Sequence, residues 1–251
     1  MDTQVMFDRG KRPTLYTWAA TDSVNPLPIA RAEGVYLYTP EGKRILDFNS
    51  QLMSVLIGHS HPKVVAAMKK AADGLIYVYP QTATEMRARY SKRLAELAPG
   101  NNTADYYTLG GAEANEHANL AAMQLTGDPR RWANEPGMPG VVRVMDPTPY
   151  NFSFGQSEEE ITTRNLQYLE EVIMYEGPQT IAAMILETVT GTNGMLVPPK
   201  GYMQGLRALL KKHGILMICD EVMAGMGRTG KLYAFEHFDI VPDMVTMAKG
   251  L

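Results

Sequence analysis

Short apolar runs alternate with helix-length stripes through the second part of the chain. Tyr106-Tyr107-Thr108-Leu109 precedes a helical pattern from Ala112 to Gln124, and Val141 to Met145 precedes one from Ser157 to Tyr175. Ile181 to Leu186 is followed by Gly201 to His213, then by Ile215 to Cys219 and finally by Met244 to Ala248. Runs of that length, bounded by helices, predict βαβ units: an α/β fold with a mainly parallel sheet and helices on both faces. No internal repeat interrupts the pattern.

The first part reads differently. Residues 1 to about 34 carry Pro, Thr and Asn without a sustained period, which predicts an extended arm lying on other structure. Val35-Tyr36-Leu37-Tyr38 and Ile45-Leu46-Asp47-Phe48 flank Thr39-Pro40-Glu41-Gly42, a hairpin pattern whose turn uses Pro and Gly. Pro62 to Asp73, with Val64, Val65, Met68 and Ala72 on one face, predicts a helix. Thr84 to Leu97, with Met86, Tyr90, Leu94 and Leu97, predicts a second, and Thr82 with Glu85 has the spacing of a capping box. The domain reading is an arm and hairpin over residues 1–60, part of a small domain, and a large domain over 61–251.

Composition narrows the function classes. The chain has 251 residues, 24 Lys and Arg against 27 Asp and Glu, and a net charge of −3, so it carries no electrostatic footprint for nucleic acid or anionic membrane. No apolar stretch is long enough to span a bilayer, and the N-terminus lacks an export pattern, which predicts a soluble, cytoplasmic protein. The single cysteine, Cys219, excludes an internal disulfide and a multi-thiolate zinc site. His59 and His61 lack a convergent set of carboxylates, so they are read as helix-entry or packing residues and no metal is expected. The seventeen methionines are read as core filler.

Each apolar run ends in a small or polar residue: Gly110 and Gly111, Asp146, Glu187, Asp220 and Lys249. In a parallel α/β sheet those ends share the edge where ligands bind. Gly110 and Gly111, between a strand pattern and a helix, could offer free N–H groups to a phosphate, although a tight turn alone would use the same residues. Asp220 after an apolar strand requires a cationic or hydrogen-bonding partner. Lys249, also at a strand end, can become a nucleophile when neighbouring charge and apolar walls lower its pKa. Together they suggest a pyridoxal-type site. Lys249 would hold the aldehyde as a Schiff base, Asp220 would keep the pyridine nitrogen protonated, and the glycine turn would bind the phosphate. Once released by substrate, Lys249 could carry the proton from Cα to the cofactor's C4′ carbon.

The run from Ile215 through Asp220-Glu221-Val222 and Gly225-Met226-Gly227-Arg228-Thr229-Gly230-Lys231, followed by Val241-Pro242-Asp243 and Ala248-Lys249-Gly250-Leu251, resembles the signature of class III pyridoxal-phosphate aminotransferases. Gly111-Ala112-Glu113-Ala114-Asn115-Glu116 resembles that family's phosphate turn, and Asn25-Pro26, Gly58-His59 and His61-Pro62 resemble its N-terminal segment. The resemblance implies fold type I, pyridoxal 5'-phosphate, a homodimer, and amino transfer from an amino acid or amine to a keto acid such as pyruvate. It implies Lys249 as the Schiff-base lysine, Asp220 as the pyridinium partner, Val222 on a ring face, and Gly111 and Ala112 as phosphate-binding amides. Glu187 falls on an acidic position of the family, followed here by Thr188 where proline is usual. Leu52 and Met53 fall where members line the substrate pocket, often with an aromatic in place of Met53.

Two departures accompany the resemblance. Between Glu116 and Leu125 the family has a longer helix, a further strand and a Tyr-His-Gly loop whose aromatic stacks on the cofactor, and this chain is shorter there. Two residues follow Lys249, whereas members continue through the rest of the large domain and the small domain. These departures make an inactive or partner-dependent fragment one alternative, favoured also by the three prolines between Gly127 and Gly140. A pyridoxal-phosphate decarboxylase or aminomutase of the same family is another. Gly225 to Lys231 also fits the spacing of a nucleotide-binding P-loop, but Leu232 stands where Ser or Thr would hold magnesium, and the acidic strand lies too close before it.

Overall fold

In the computed structural model, the described residues are 5, 23–79, 81–100, 104–118, 125–149 and 151–251, with the backbone alone described for 115–118, 130, 133 and 134. Contacts divide the chain into two units, Met1–Thr82 and Ala83–Leu251. The division falls later than the boundary expected after Ser60. His59 is bonded through its backbone to Gly34, N–H to carbonyl in both directions, and the helix Pro62–Ala72 follows that anchor directly.

The first unit holds a three-stranded antiparallel sheet, β1 (Arg31–Glu33), β2 (Tyr36–Tyr38) and β3 (Arg44–Leu46), in the order β1-β2-β3. The expected hairpin is β2-β3. The arm expected through residue 34 instead contributes β1, whose Ala32 pairs with Leu37. Residues 1–4 and 6–22 of that arm lie outside the described residues. The helix Pro62–Ala72 forms as its pattern predicts, yet its apolar face stays open, with Val64 and Met68 both exposed.

In the second unit the helix Glu85–Leu97 is capped by Thr84, whose Oγ1 accepts the Arg87 N–H, rather than by Thr82. Two hydroxyls stood near the start of this helix, and the one immediately before the first helical residue reaches the orphan amide. The helix Glu158–Glu176 begins at Ser157, whose Oγ accepts the Glu160 N–H, and three glutamates in its first turn complement the positive helix end. Tyr202–His213 ends at Gly214 in the left-handed region, after Lys211, Lys212 and His213.

The helices Glu158–Glu176 and Tyr202–His213 pack on a parallel sheet of β4 (Ala183–Glu187), β5 (Leu216–Asp220) and β6 (Met244–Thr246), in the order β4-β5-β6. Leu169, Ile173, Met203, Leu206 and Leu210 from the helices meet Met217 and Cys219 of β5 in one buried core. Each such side chain contributes roughly 1.5–3 kcal/mol on leaving water, which fixes the sheet beneath its polar edge. Burial pushes the Cys219 thiol up to about 12, so it serves as packing and not as a nucleophile.

Two expected strands are not strands. Among the described residues neither Tyr106–Leu109 nor Val141–Met145 belongs to a strand, although Val144 does pack against the core. An apolar run reports burial, and a strand also needs a neighbour for its amides. The glycine-bounded stretch from Gly127 to Gly140, expected as a loop, contains the 3-10 helix Pro129–Asn134.

Candidate functional site

The parallel register creates the site. Glu187 of β4 stands beside Asp220 of β5, which stands beside Thr246 of β6. Strand alternation puts these three side chains on one face, opposite the face on which Met217 and Cys219 join the core. They lie at the C-terminal ends of their strands, the edge where α/β sheets receive ligands.

From that edge a series of contacts closes on Lys249. Asp220 Oδ1 accepts the Val222 N–H at 2.8 Å, which turns the chain and aims Val222 outward from β5. Val222 meets Gly111 so tightly that a methyl group there would lie 2.7 Å from Val222 Cγ2 and 3.2 Å from Ala248 Cβ. Ala248 is the residue before Lys249. The start of the helix Gly111–Ala118, the turn after β5 and the turn after β6 therefore converge.

Local chemistry at each point follows from its position. The first amides of Gly111–Ala118 have no intrahelical acceptor, and Gly110 and Ala112 are exposed beside them. Glu113 reaches back to accept the Leu109 N–H at 2.8 Å, fixing the entry turn. Lys249 is half-buried and left-handed, at φ 45°, a conformation that costs a non-glycine residue about 1–2 kcal/mol and that recurs at functional sites. Burial pushes the Glu187 carboxyl above its usual range; the Gly191 N–H at 2.9 Å and the Lys249 charge oppose that rise, while Asp220 and Asp146 add to it. Glu187 thus feels the charges of both Asp220 and Lys249.

Two features fit an aromatic phosphorylated aldehyde there. Gly111 leaves no room for a Cβ beside Val222, so the helix start can approach the edge only as glycine. Thr246 Oγ1, beside Asp220, is buried without a hydrogen-bond partner among the described residues, a polar atom that a cofactor's polar group could meet. Thr246 was not singled out by the sequence, because only the register places it next to Asp220.

Leu52 and Met53 belong to the first unit, on a turn whose four residues Ser50, Gln51, Leu52 and Met53 all have φ between 49° and 63°. Leu52 is exposed and Met53 half-buried. His59 bonds Asp47 at 2.7 Å, and His61 occupies the position before the helix at Pro62 without a side-chain capping bond. Asp146 accepts Asn193 Nδ2 at 2.8 Å but ends no strand. The glycine-rich run after β5 forms turns that lead to the 3-10 helix Ala234–Phe238, and Lys231 donates to the Glu236 carbonyl at 2.7 Å, which removes the nucleotide-binding reading. Residues 119–124, where a longer helix was expected, lie outside the described residues.

The profile of the family described as aminotransferase class-III matches residues 18–131 and 120–251. The chain belongs to the class III aminotransferases. The two matched stretches, rather than one, meet in the region where the sequence is shorter than the family pattern. Gamma aminobutyrate transaminase 3, chloroplastic, of Solanum lycopersicum is 33% identical over 93% of this chain and 51% of its own length. The acetylornithine aminotransferase of Methanopyrus kandleri is 33% identical over 90% of this chain and 59% of its own. Among solved structures, an (S)-enantioselective omega-transaminase from Thermomicrobium roseum superposes with a TM-score of 0.95 at 34% identity, over 100% of this chain and 63% of that one. The taurine:2-oxoglutarate aminotransferase of Bifidobacterium kashiwanohense, solved with PLP and glutamate, gives 0.91 at 36% identity over 100% and 62%. This class III chain therefore has the α/β architecture of the fold type I transaminases. It spans about half the length of the curated relatives it matches.

Proposed function

We propose that this class III chain carries the pyridoxal 5'-phosphate half of an aminotransferase site and moves an amino group from an amino acid or amine to a keto acid such as pyruvate. The observation that supports it most is the convergence of Asp220, Val222, Gly111 and Ala248-Lys249 at one sheet edge. When bound, the cofactor supplies an electron sink for the pair released as a substrate Cα–H bond breaks. Lys249 Nζ would hold the aldehyde and, once freed by substrate, would serve as the base that takes the substrate Cα proton and as the acid that returns it. Asp220 keeps the ring nitrogen protonated, since a carboxylate beside a pyridine favours its cationic form. Val222 packs on a ring face. Gly110, Gly111 and Ala112 present the amides for phosphate, and Glu187 stands at the same edge as an acid whose proton affinity burial has raised.

The finer parts of the reading extend to the rest of the enzyme. Leu52 and Met53 line the substrate pocket, the active form is a homodimer, and the large domain runs over residues 61–251. We place the enzyme in the cytoplasm, with small-molecule substrates and neither nucleic acid nor membrane as partner; among the described residues no helix is long and apolar enough to cross a membrane.

Adding pyridoxal phosphate to the purified chain, reducing with borohydride and mapping the modified lysine tests the reading. Label on Lys249, absent in Lys249→Ala, is the expected result. Label confined to other lysines overturns it.

A further inference from the structure

Behind the two edge acids lies a second, fully buried pair. Thr188 follows Glu187 and Glu221 follows Asp220, and both are inaccessible to solvent, at 0% and 1% exposure. Thr188 Oγ1 donates to Glu221 Oε1 at 2.6 Å. The same carboxylate accepts the Phe235 N–H on Oε1 at 3.1 Å and the Ala234 N–H on Oε2 at 2.9 Å. Through its backbone Glu221 donates to the Thr246 carbonyl at 2.9 Å. One residue thus joins β4, β6 and the turn at Ala234, immediately beyond Asp220.

A buried carboxylate survives only where its acceptor positions are met by donors. Here three donors meet it, and two are backbone amides that no side-chain substitution removes. Thr188 is the adjustable one.

We propose that Thr188 is a positioning residue for the cofactor: its hydroxyl, acting through Glu221, fixes how Asp220 stands relative to Glu187 and so sets how strongly Asp220 holds the ring nitrogen of pyridoxal phosphate in its cationic form. The inference rests on the cofactor reading of this edge. Without the hydroxyl, the Glu221 side chain loses one of its three donors and its tie to the residue after β4, so Asp220, still held in the strand ladder, is set less firmly relative to Glu187.

Thr188→Val and Thr188→Ser separate this role from simple packing. In Thr188→Val, borohydride still labels Lys249, but the chain binds pyridoxal phosphate about tenfold more weakly. The pH midpoint of the bound cofactor's visible absorbance rises by about half a unit or more, because a less cationic ring withdraws less charge from the lysine nitrogen. Thr188→Ser, which keeps the donor, restores both. An unchanged midpoint in Thr188→Val overturns the proposal even if thermal stability falls, and so does a serine variant that behaves like the valine one. Should the valine chain not fold, Thr188→Ala against Thr188→Ser reads the same contrast. Failure of the unsubstituted chain to label at Lys249 instead removes the cofactor reading itself, and this inference with it.

Discussion

Gly111 sits so close to Val222 that a methyl group on its α-carbon would lie 2.7 Å from Val222 Cγ2 and 2.8 Å from Cγ1. Its backbone φ is not positive, so the constraint is space and not conformation. Gly111→Ala must push the helix start away from the turn after β5. Overpacking of this kind costs about 1–3 kcal/mol, and it would displace the amides proposed to bind the phosphate. Equilibrium titration should show pyridoxal phosphate binding weakened about tenfold or more, at about 1.4 kcal/mol for each tenfold. Pairing the change with Val222→Ala should recover part of it. Full affinity in the single variant would mean that the helix start does not touch the phosphate.

Glu187 predicts an unusual pH effect. Burial, and the like charge of Asp220, raise its folded-state pKa above the ordinary 4.5, with the Gly191 amide and Lys249 opposing. Below the ordinary value the carboxyl is protonated whether folded or not, and it makes no difference to stability. Above it the unfolded chain releases the proton more readily, so stability falls as pH rises toward the folded value. Glu187→Gln removes the ionisation while keeping an oxygen for the Gly191 N–H. Its urea midpoint should exceed that of the unsubstituted chain at pH 8 and match it at pH 4. A higher midpoint at pH 4 alone would reverse the assigned sign.

Much of this edge was legible because core strands of a parallel sheet are unbroken apolar runs whose polar ends stand out. Glu187, Asp220 and Lys249 are such ends. What the linear chain did not carry was register: Thr246 and Thr188 are ordinary threonines until β4, β5 and β6 align, and Glu221 is only the residue after Asp220. Pairing was equally illegible at Tyr106–Leu109 and Val141–Met145, where the apolar pattern is present and the ladder is not. The left-handed turn at Ser50–Met53 had no signal at all, since it contains neither glycine nor asparagine, the residues that enter that region readily.

Asp243 and Arg207 show the opposite pH behaviour. Arg207 Nη2 donates to Oδ1 at 2.8 Å, Nη1 donates to Oδ2 at 2.5 Å, and the Met217 N–H reaches Oδ2 at 2.8 Å. The arginine holds the carboxyl below its ordinary 3.8, against the effect of burial. The stabilisation is therefore complete above that ordinary value and is lost as pH falls through the lower, folded one. Asp243→Asn should cost about 1.5–3 kcal/mol at pH 7, the range for hydrogen bonds to charged groups, because the pair ties the helix Tyr202–His213 to the start of β5 and β6. Urea unfolding should show the gap closing below about pH 4. A gap that persists undiminished in acid would assign the cost to packing.

In the first unit, Asp47 holds the left-handed turn that carries Leu52 and Met53. Its Oδ1 accepts the Gln51 N–H at 3.3 Å, and Oδ2 bonds His59 Nε2 at 2.7 Å. The Ser50 hydroxyl donates to the Val55 carbonyl at 2.6 Å and closes the other end. Four consecutive non-glycine residues at positive φ each cost about 1–2 kcal/mol relative to the right-handed region, so the turn persists only while these bonds outweigh that strain. Asp47→Ala removes an acceptor from a backbone amide and the partner of a largely buried histidine, a loss of about 2–3 kcal/mol. The turn should then open at lower cost than the unit as a whole. Hydrogen exchange at the Gln51 amide should quicken by about thirtyfold or more in Asp47→Ala. Asp47→Asn, which retains the Oδ1 acceptor but puts an amide nitrogen where Oδ2 met His59 Nε2, should fall between. Equal exchange in the alanine variant and the unsubstituted chain would show that Asp47 does not hold the turn.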